Sequence, residues 1–274
     1  MQHNLKEIYN RFNASGTYLD GVSEGSGHIH ETFLIRTLEN DCNDYILQRL
    51  NNQVFKKIPE MQENIERVTK HIRNKLSLIP GADIRRECPE LVNSSDGKTW
   101  ITDSSGAYWR MYVLIPENVT YDIVDSADKA FEGGKAIGRF QKMVSDLPGK
   151  PLYETITGFH DTEKRLLRFE EVVKADTAGR VKECKDEIAF MRQRAGQMTV
   201  INRLGREGRI PLRIVHNDTK FNNILFDRNG KSLCLIDLDT VMPGYYHSDF
   251  GDAIRTGANK AAEDEADLNK ISMD

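Results

Sequence analysis

Cysteine is scarce in this chain of 274 residues: Cys42, Cys88, Cys184 and Cys234 are the only four. No C-x-x-C or Cys-His pair is among them, which speaks against a zinc site or a disulfide framework and predicts reduced, mostly buried thiols. Long apolar runs are lacking too. No stretch nears the roughly 18 consecutive apolar residues of a membrane span, and the opening MQHNLKEIYNRF has no signal-peptide core. The expected location is the cytoplasm, with no membrane partner. Nor is there an excess of positive charge. Lys and Arg number 38 against 42 Asp and Glu, a net charge of -4 with pI near 6.0, so nothing points to nucleic acid and the expected partner is small.

What is present is an ordinary globular composition, 39% hydrophobic and 29% charged, long enough for one or two domains with a large core. The chemistry is concentrated in RIVHNDTKFNNILFDRNGKSLCLIDLDTVMPG, residues 213–244. An apolar pair, Ile214 and Val215, ends in His216-Asn217-Asp218, and Asn223 opens a second apolar run, Ile224 to Phe226. Asp227-Arg228-Asn229-Gly230 supplies turn chemistry, and Leu233 to Ile236 leads to Asp237. The pattern predicts strand, tight loop, strand, turn, strand, with Asp218, Asn223 and Asp237 at the ends of adjacent short strands.

His-x-Asp-x-x-x-x-Asn, followed by Asp at the end of a later strand, is the spacing of kinase-like phosphoryl transfer. On that template Asp218 is the catalytic base that meets an acceptor hydroxyl. Asn223 and Asp237 are the hard oxygen ligands that magnesium prefers, and Lys220 is a point charge within reach of the transferring phosphoryl group. His216 reads as a hydrogen-bonded loop residue. The bland alternative is a hairpin whose polar turns cap strands, but it needs three separate spacings to coincide. Two further readings are a nucleotide-binding module with little catalysis and a metal-dependent hydrolase using Asp218, Asp237 and Asp239 as a carboxylate cluster. The hydrolase leaves Asn223 without a purpose.

HNDTKFNNILFD, CLIDLDTVMPG and HSDFGDAIRTGA resemble the aminoglycoside phosphotransferase superfamily, and within it the N-acetylhexosamine 1-kinases most closely; residues 215–260 are the most specific part. The resemblance implies an α+β, bilobed protein-kinase-like fold. Residues 1–115 would form a nucleotide-binding lobe of antiparallel sheet with a helix, and 116–274 a mainly helical lobe carrying the catalytic strand-loop hairpins and substrate site. It further implies ATP and Mg2+, and phosphorylation of the anomeric hydroxyl of N-acetylglucosamine or N-acetylgalactosamine. Another sugar, an amino alcohol or an aminoglycoside is the alternative acceptor. The hexosamine kinases continue well beyond this length, so a shortened or partial chain, lacking helices of the sugar site, is expected.

The rest of the chain can be placed against that template. Leu5, Ile8, Tyr9 and Phe12 have helical spacing. Gly25-Ser26-Gly27 joins two extended segments and stands where a loop covers the phosphates, with His30 in place of a protein kinase's third glycine. Taken alone it is a plain hairpin turn. In the third strand, Asp44 to Leu50, Gln48 occupies the position of the phosphate-binding lysine of V-A-I-K. Either Gln48 contacts the phosphates as a neutral donor, or a bulge turns Arg49 inward. Met61, Ile65, Val68, Ile72 and Leu76 mark a helix, on which Glu63 or Glu66 is the candidate partner for a cation of the third strand. Residues 90–115 read as a strand meander. Leu114, Ile115 and Glu117 are the candidate adenine hinge.

Beyond the hinge the periods turn helical: Ile137 to Val144, Leu166 to Val173, and Val181 to about Leu204, with Asp161 or Thr162 as an N-cap. His160 and Phe159 are candidates for the sugar pocket or, more simply, for core and cap. Asp239 would sit on the same face as Asp237 and serve magnesium or the sugar hydroxyls, or cap the turn before Pro243-Gly244. SDFGDAIR starts a helix. By resemblance Asp249 or Asp252 anchors the catalytic loop through its backbone N–H groups, and Arg255 is helix surface or a substrate contact.

Overall fold

The computed structural model describes residues 3–24, 29–261 and 265–273. The chain opens with helix α1 (Leu5–Tyr9), whose first turn is closed by Asn4 accepting the Glu7 N–H. Strands β1 (Tyr18–Ser23), β2 (Glu31–Thr37) and β3 (Tyr45–Arg49) follow, then helices α2 (Ile58–Leu76) and α3 (Ile84–Glu87), then strands β4 (Ile101–Thr102) and β5 (Tyr108–Val113). They make one antiparallel sheet in the order β1-β2-β3-β5-β4, with β3 at its centre.

Alternation along the strands assigns the two faces of this sheet. Ile35, Tyr45, Leu47, Trp109 and Met111 pack with Ile8, Tyr9 and Phe12 on one side. The other side carries Arg110 and Tyr112 in β5, and Tyr112 packs against the core shared with α2. That helix buries Met61, Ile65, Val68, Ile72 and Leu76 along one stripe, as their period requires, and begins a few residues earlier with Pro in its first turn.

The meander expected over 90–115 forms only in part. Its ordered part is the β4–β5 hairpin, with Leu91 joined to Tyr112 by an isolated bridge. Between them Ser94 donates its hydroxyl to Asp96, with the Lys98 carbonyl 2.8 Å from the same hydroxyl, and its backbone bridges to Phe12 rather than to a strand of the sheet. Such local side-chain bonding offers the backbone an alternative to a ladder.

The second half is built from α4 (Ala127–Val144), α5 (Thr162–Ala175), α6 (Lys185–Met198), α7 (Val200–Arg206), β6 (Arg213–Val215), β7 (Ile224–Phe226), β8 (Ser232–Leu235), β9 (Met242–Gly244) and α8 (Tyr246–Gly257). Asp161 is the cap of α5, accepting the Lys164 N–H at 3.1 Å, an arrangement worth about 1 kcal/mol. The single helix expected over 181–204 is two, divided at Thr199. There the Thr199 hydroxyl bonds the Gly196 carbonyl, and the Thr162 hydroxyl takes that of Met198. β6 pairs with β9 and β7 with β8. The β7–β8 hairpin shares one core with α2 and α4 through Phe140, Phe221, Phe226 and Leu235. Among the described residues no helix is long and apolar enough to cross a membrane. Of the four free thiols, Cys88 and Cys234 are buried, while Cys42 and Cys184 are partly exposed.

Candidate active site

The predicted trio meets where β6, β7 and β8 end. Asp218 follows β6, Asn223 closes a 3-10 turn (Phe221–Asn223) that runs into β7, and Asp237 follows β8. The Asn223 amide donates to both the Asp218 carbonyl and its Oδ2, each at 2.9 Å. Lys220 Nζ lies 3.5 Å from the same carboxylate oxygen. Asp218 Oδ2 is therefore committed, while Oδ1 accepts no bond from a described residue. The Ile236 N–H to Asn223 carbonyl bond, 2.9 Å, ties the second and third members together.

Two residues of this loop have left-handed backbones, Asn217 at φ 68 and Asp237 at φ 56, a region that Asn and Asp tolerate better than most residues. Asn217 is fixed there: its N–H goes to Asp249 Oδ1 at 2.8 Å and its side chain to the Thr240 carbonyl at 2.8 Å. The His216 N–H meets Asp249 Oδ2 at 3.2 Å. Asp249, fully buried on α8, is thus the anchor expected of Asp249 or Asp252. Asp252 instead pairs with Arg255 at 2.8 Å. His216 has the loop role expected of it, donating Nε2–H to the Ile236 carbonyl at 2.9 Å. His160 bonds the Asn217 carbonyl at 3.0 Å, which brings it beside the loop. Arg255 is half exposed on α8.

Asp237 opens onto solvent, and no described group donates a hydrogen bond to it. An unpaired carboxylate here, next to the Ile236 N–H that bonds the Asn223 carbonyl, offers the hard oxygen that suits a cation held partly by a nucleotide's phosphates. Among the described residues no three His, Cys, Asp or Glu side chains form a metal-holding group, and the hydrolase's carboxylate cluster is not assembled.

Asp239 accounts for that. It is 2% exposed, and its carboxylate is divided between Arg110 at Oδ1 and His30 Nε2 at Oδ2, the latter 2.5 Å away. Burial opposes its ionisation, but Arg110 and then His30 outweigh burial and hold its pKa at about 2. The side chain expected to serve magnesium or sugar hydroxyls is spent on an internal ion pair.

The third strand also departs from expectation. β3 runs in unbroken register with both neighbours, so no bulge turns Arg49 inward; Arg49 pairs with Glu31 at 2.5 Å on the face opposite Gln48. Gln48 is spent as well, its Nε2 on Thr32 Oγ1 at 3.1 Å and its Oε1 accepting from Arg110 Nε at 2.9 Å. Both side chains are thus engaged within the sheet half. Glu63 pairs with Lys150 at 2.8 Å and Glu66 is exposed, so the helix supplies no acidic partner to β3. Arg110 is the site residue that pattern reading missed. Its signal was a charge in the middle of the apolar run Tyr108 to Val113.

At the hinge candidate, the Leu114 N–H is used by the Asp44 carbonyl at 2.9 Å. The Ile115 carbonyl accepts from Asn118, and the Glu117 carbonyl from Arg86. Glu117 has φ 52, which turns the chain sharply as it leaves the sheet. The Gly25-Ser26-Gly27 loop lies outside the described residues.

A family model described as the phosphotransferase enzyme family matches residues 24–270. Among solved structures, an aminoglycoside phosphotransferase from Alicyclobacillus acidocaldarius superposes with a TM-score of 0.61 at 10% identity, covering 93% of this chain and 72% of its own. A spectinomycin phosphotransferase in complex with ADP and spectinomycin gives 0.57 at 11% identity, covering 89% and 70%. An amicoumacin kinase in complex with AMP-PNP and Ca2+ gives 0.55 at 15%, covering 92% and 71%. At such identities the likeness shows the fold, and the kinase-like α+β architecture expected from the motifs is the observed one.

Proposed function

Because the chain belongs to the phosphotransferase enzyme family, we propose that it transfers the terminal phosphoryl group of ATP, with magnesium, to the anomeric hydroxyl of an N-acetylhexosamine. The observation that carries the catalytic part is the bond from Asn223 to Asp218 beside the unpaired carboxylate of Asp237. With Oδ2 occupied, Asp218 has Oδ1 left to accept a hydrogen bond from the acceptor hydroxyl, orient it and take its proton. Asn223 donates through its nitrogen, so its amide oxygen and the Asp237 carboxylate are the groups that would hold the cation. Magnesium, when bound, would neutralise phosphate charge. Lys220 adds a positive charge next to the reacting hydroxyl. Catalysis by these residues is positioning and electrostatic stabilisation. The acceptor rests on the motif resemblance over 215–260.

A coupled ADP-release assay over N-acetylhexosamines, neutral hexoses, choline-like alcohols, aminoglycosides and spectinomycin tests both parts. The expected result is turnover highest with an N-acetylhexosamine. Asp218→Asn should lower kcat by about 10²- to 10⁴-fold with ATP affinity near that of the wild type. Turnover highest with another class moves the acceptor assignment. Unchanged turnover in Asp218→Asn removes that carboxylate from the mechanism.

A further inference from the structure

Arg110 is 1% exposed, deep in the sheet, and its surroundings are organised to fix one orientation of its guanidinium. Thr32, Gln48 and Arg110 stand directly opposite one another across β2, β3 and β5. A continuous row of hydrogen bonds follows that register, Gln48 to Thr32 at 3.1 Å and Arg110 to Gln48 at 2.9 Å. The far edge of the guanidinium then reaches Asp239 in the other half of the molecule. His30 grips the second oxygen of that carboxylate. Its Nδ1 accepts the Asn51 N–H at 3.0 Å, so its proton sits on Nε2 and points at Asp239.

What Asp239 holds is a short 3-10 turn, Leu238–Thr240, that begins directly after Asp237. The same turn is bonded to the catalytic loop, Thr240 donating to the His216 carbonyl at 2.7 Å and accepting from Asn217 at 2.8 Å. Replacing a buried ion pair of this kind by apolar residues is often neutral or stabilising. Stability alone therefore gives weak reason for the pair, whereas the placement of Asp239 two residues after Asp237 gives a geometric one.

We propose that Arg110, aimed by Gln48, is a positioning residue that acts through Asp239 to set Asp237 for a divalent cation. The inference rests on the kinase reading above. It gives Gln48, which stands in the position of the V-A-I-K lysine, the task of orienting a cation on β5.

The experiment is calorimetric titration of the purified chain with ADP, with and without Mg2+, which needs no turnover. Variants are Arg110→Met, Arg110→Lys, Gln48→Leu and the double Arg110→Met/Asp239→Leu. The double variant removes both charges, so it avoids stranding a buried carboxylate, and thermal melts confirm folding. The expected result is that magnesium's enhancement of ADP affinity falls about 10- to 100-fold in the double variant, while affinity for ADP alone is unchanged. Gln48→Leu should give a smaller loss in the same direction, and Arg110→Lys a partial recovery relative to Arg110→Met. A folded double variant or Gln48→Leu with the full magnesium enhancement overturns the proposal. So does equal weakening with and without the metal, which marks a general structural role. A wild-type chain that binds ADP with no help from magnesium overturns the kinase reading and this inference with it.

Discussion

Glu132 on α4 has only 5% of its side chain exposed, yet it is ionised by design of its surroundings. It accepts from Lys231 Nζ at 3.0 Å, from the Ser232 N–H at 3.2 Å and hydroxyl at 3.1 Å, and from Lys135 at 3.1 Å. Burial pushes its pKa up, but these donors outweigh burial and hold it at about 2, below the ordinary 4.5. A carboxyl depressed in the folded state stabilises it above the unfolded pKa and loses that contribution as pH falls towards the folded one. Glu132→Gln should therefore lower the melting temperature at pH 7, by an amount equivalent to about 1–3 kcal/mol. The gap to wild type should close as the pH drops from 4.5 towards 2. Melting curves across that range check it, and a gap independent of pH would refute it. At the same scale, single side chains mark what pattern reading reaches. Asp218, Asn223 and Asp237 are close in sequence, so their spacing carries their meeting. Arg110 and Asp239 lie 129 positions apart, and nothing in either segment announces the other.

Among elements, the packing of α4 against the proposed catalytic loop depends on one missing side chain. A Cβ on Gly133 would stand 2.3 Å from Cε2 of Phe221, the residue that opens the 3-10 turn ending in Asn223. Gly133→Ala gains helix propensity of up to about 1 kcal/mol, but overpacking of this kind costs about 1–3 kcal/mol, and relief requires Phe221 to move the turn. The net expectation is a lower melting temperature and lower kcat together. Gly134→Ala and Gly138→Ala, on the same helix with nothing within 4 Å of the added carbon, should raise stability by about 0.5–1 kcal/mol without touching kcat. A Gly133→Ala variant as stable and active as these two would show that Phe221 yields freely. Period and turn chemistry located α2, α4, α5 and the 213–244 hairpins, because each has a clear apolar face or turn residues. It overran where local hydroxyl bonding intervenes, at Ser94 and at Thr199, since those interruptions are made by side chains that also occur within regular elements.

Over the whole molecule, the two halves are joined by more than the chain between them. α2 belongs by sequence to the sheet half, yet its apolar stripe lies in one core with α4, Phe221 and the β7–β8 hairpin. Its buried Asn64 donates to the Tyr153 and Val241 carbonyls at 2.8 and 3.1 Å and accepts the Tyr153 N–H at 2.9 Å. The Arg110–Asp239 pair adds a further bond from β5. A helix that cannot keep its stripe dry without the second half makes independent unfolding of the first unfavourable. The two tryptophans, Trp100 and Trp109, both report on the sheet half, whereas far-UV circular dichroism is dominated by helices, of which α4 to α8 lie in the second half. Denaturant titrations followed by the two signals should therefore share one midpoint and one slope. Separate midpoints would mean that the shared core contributes little, and that each half keeps its structure after the other has melted.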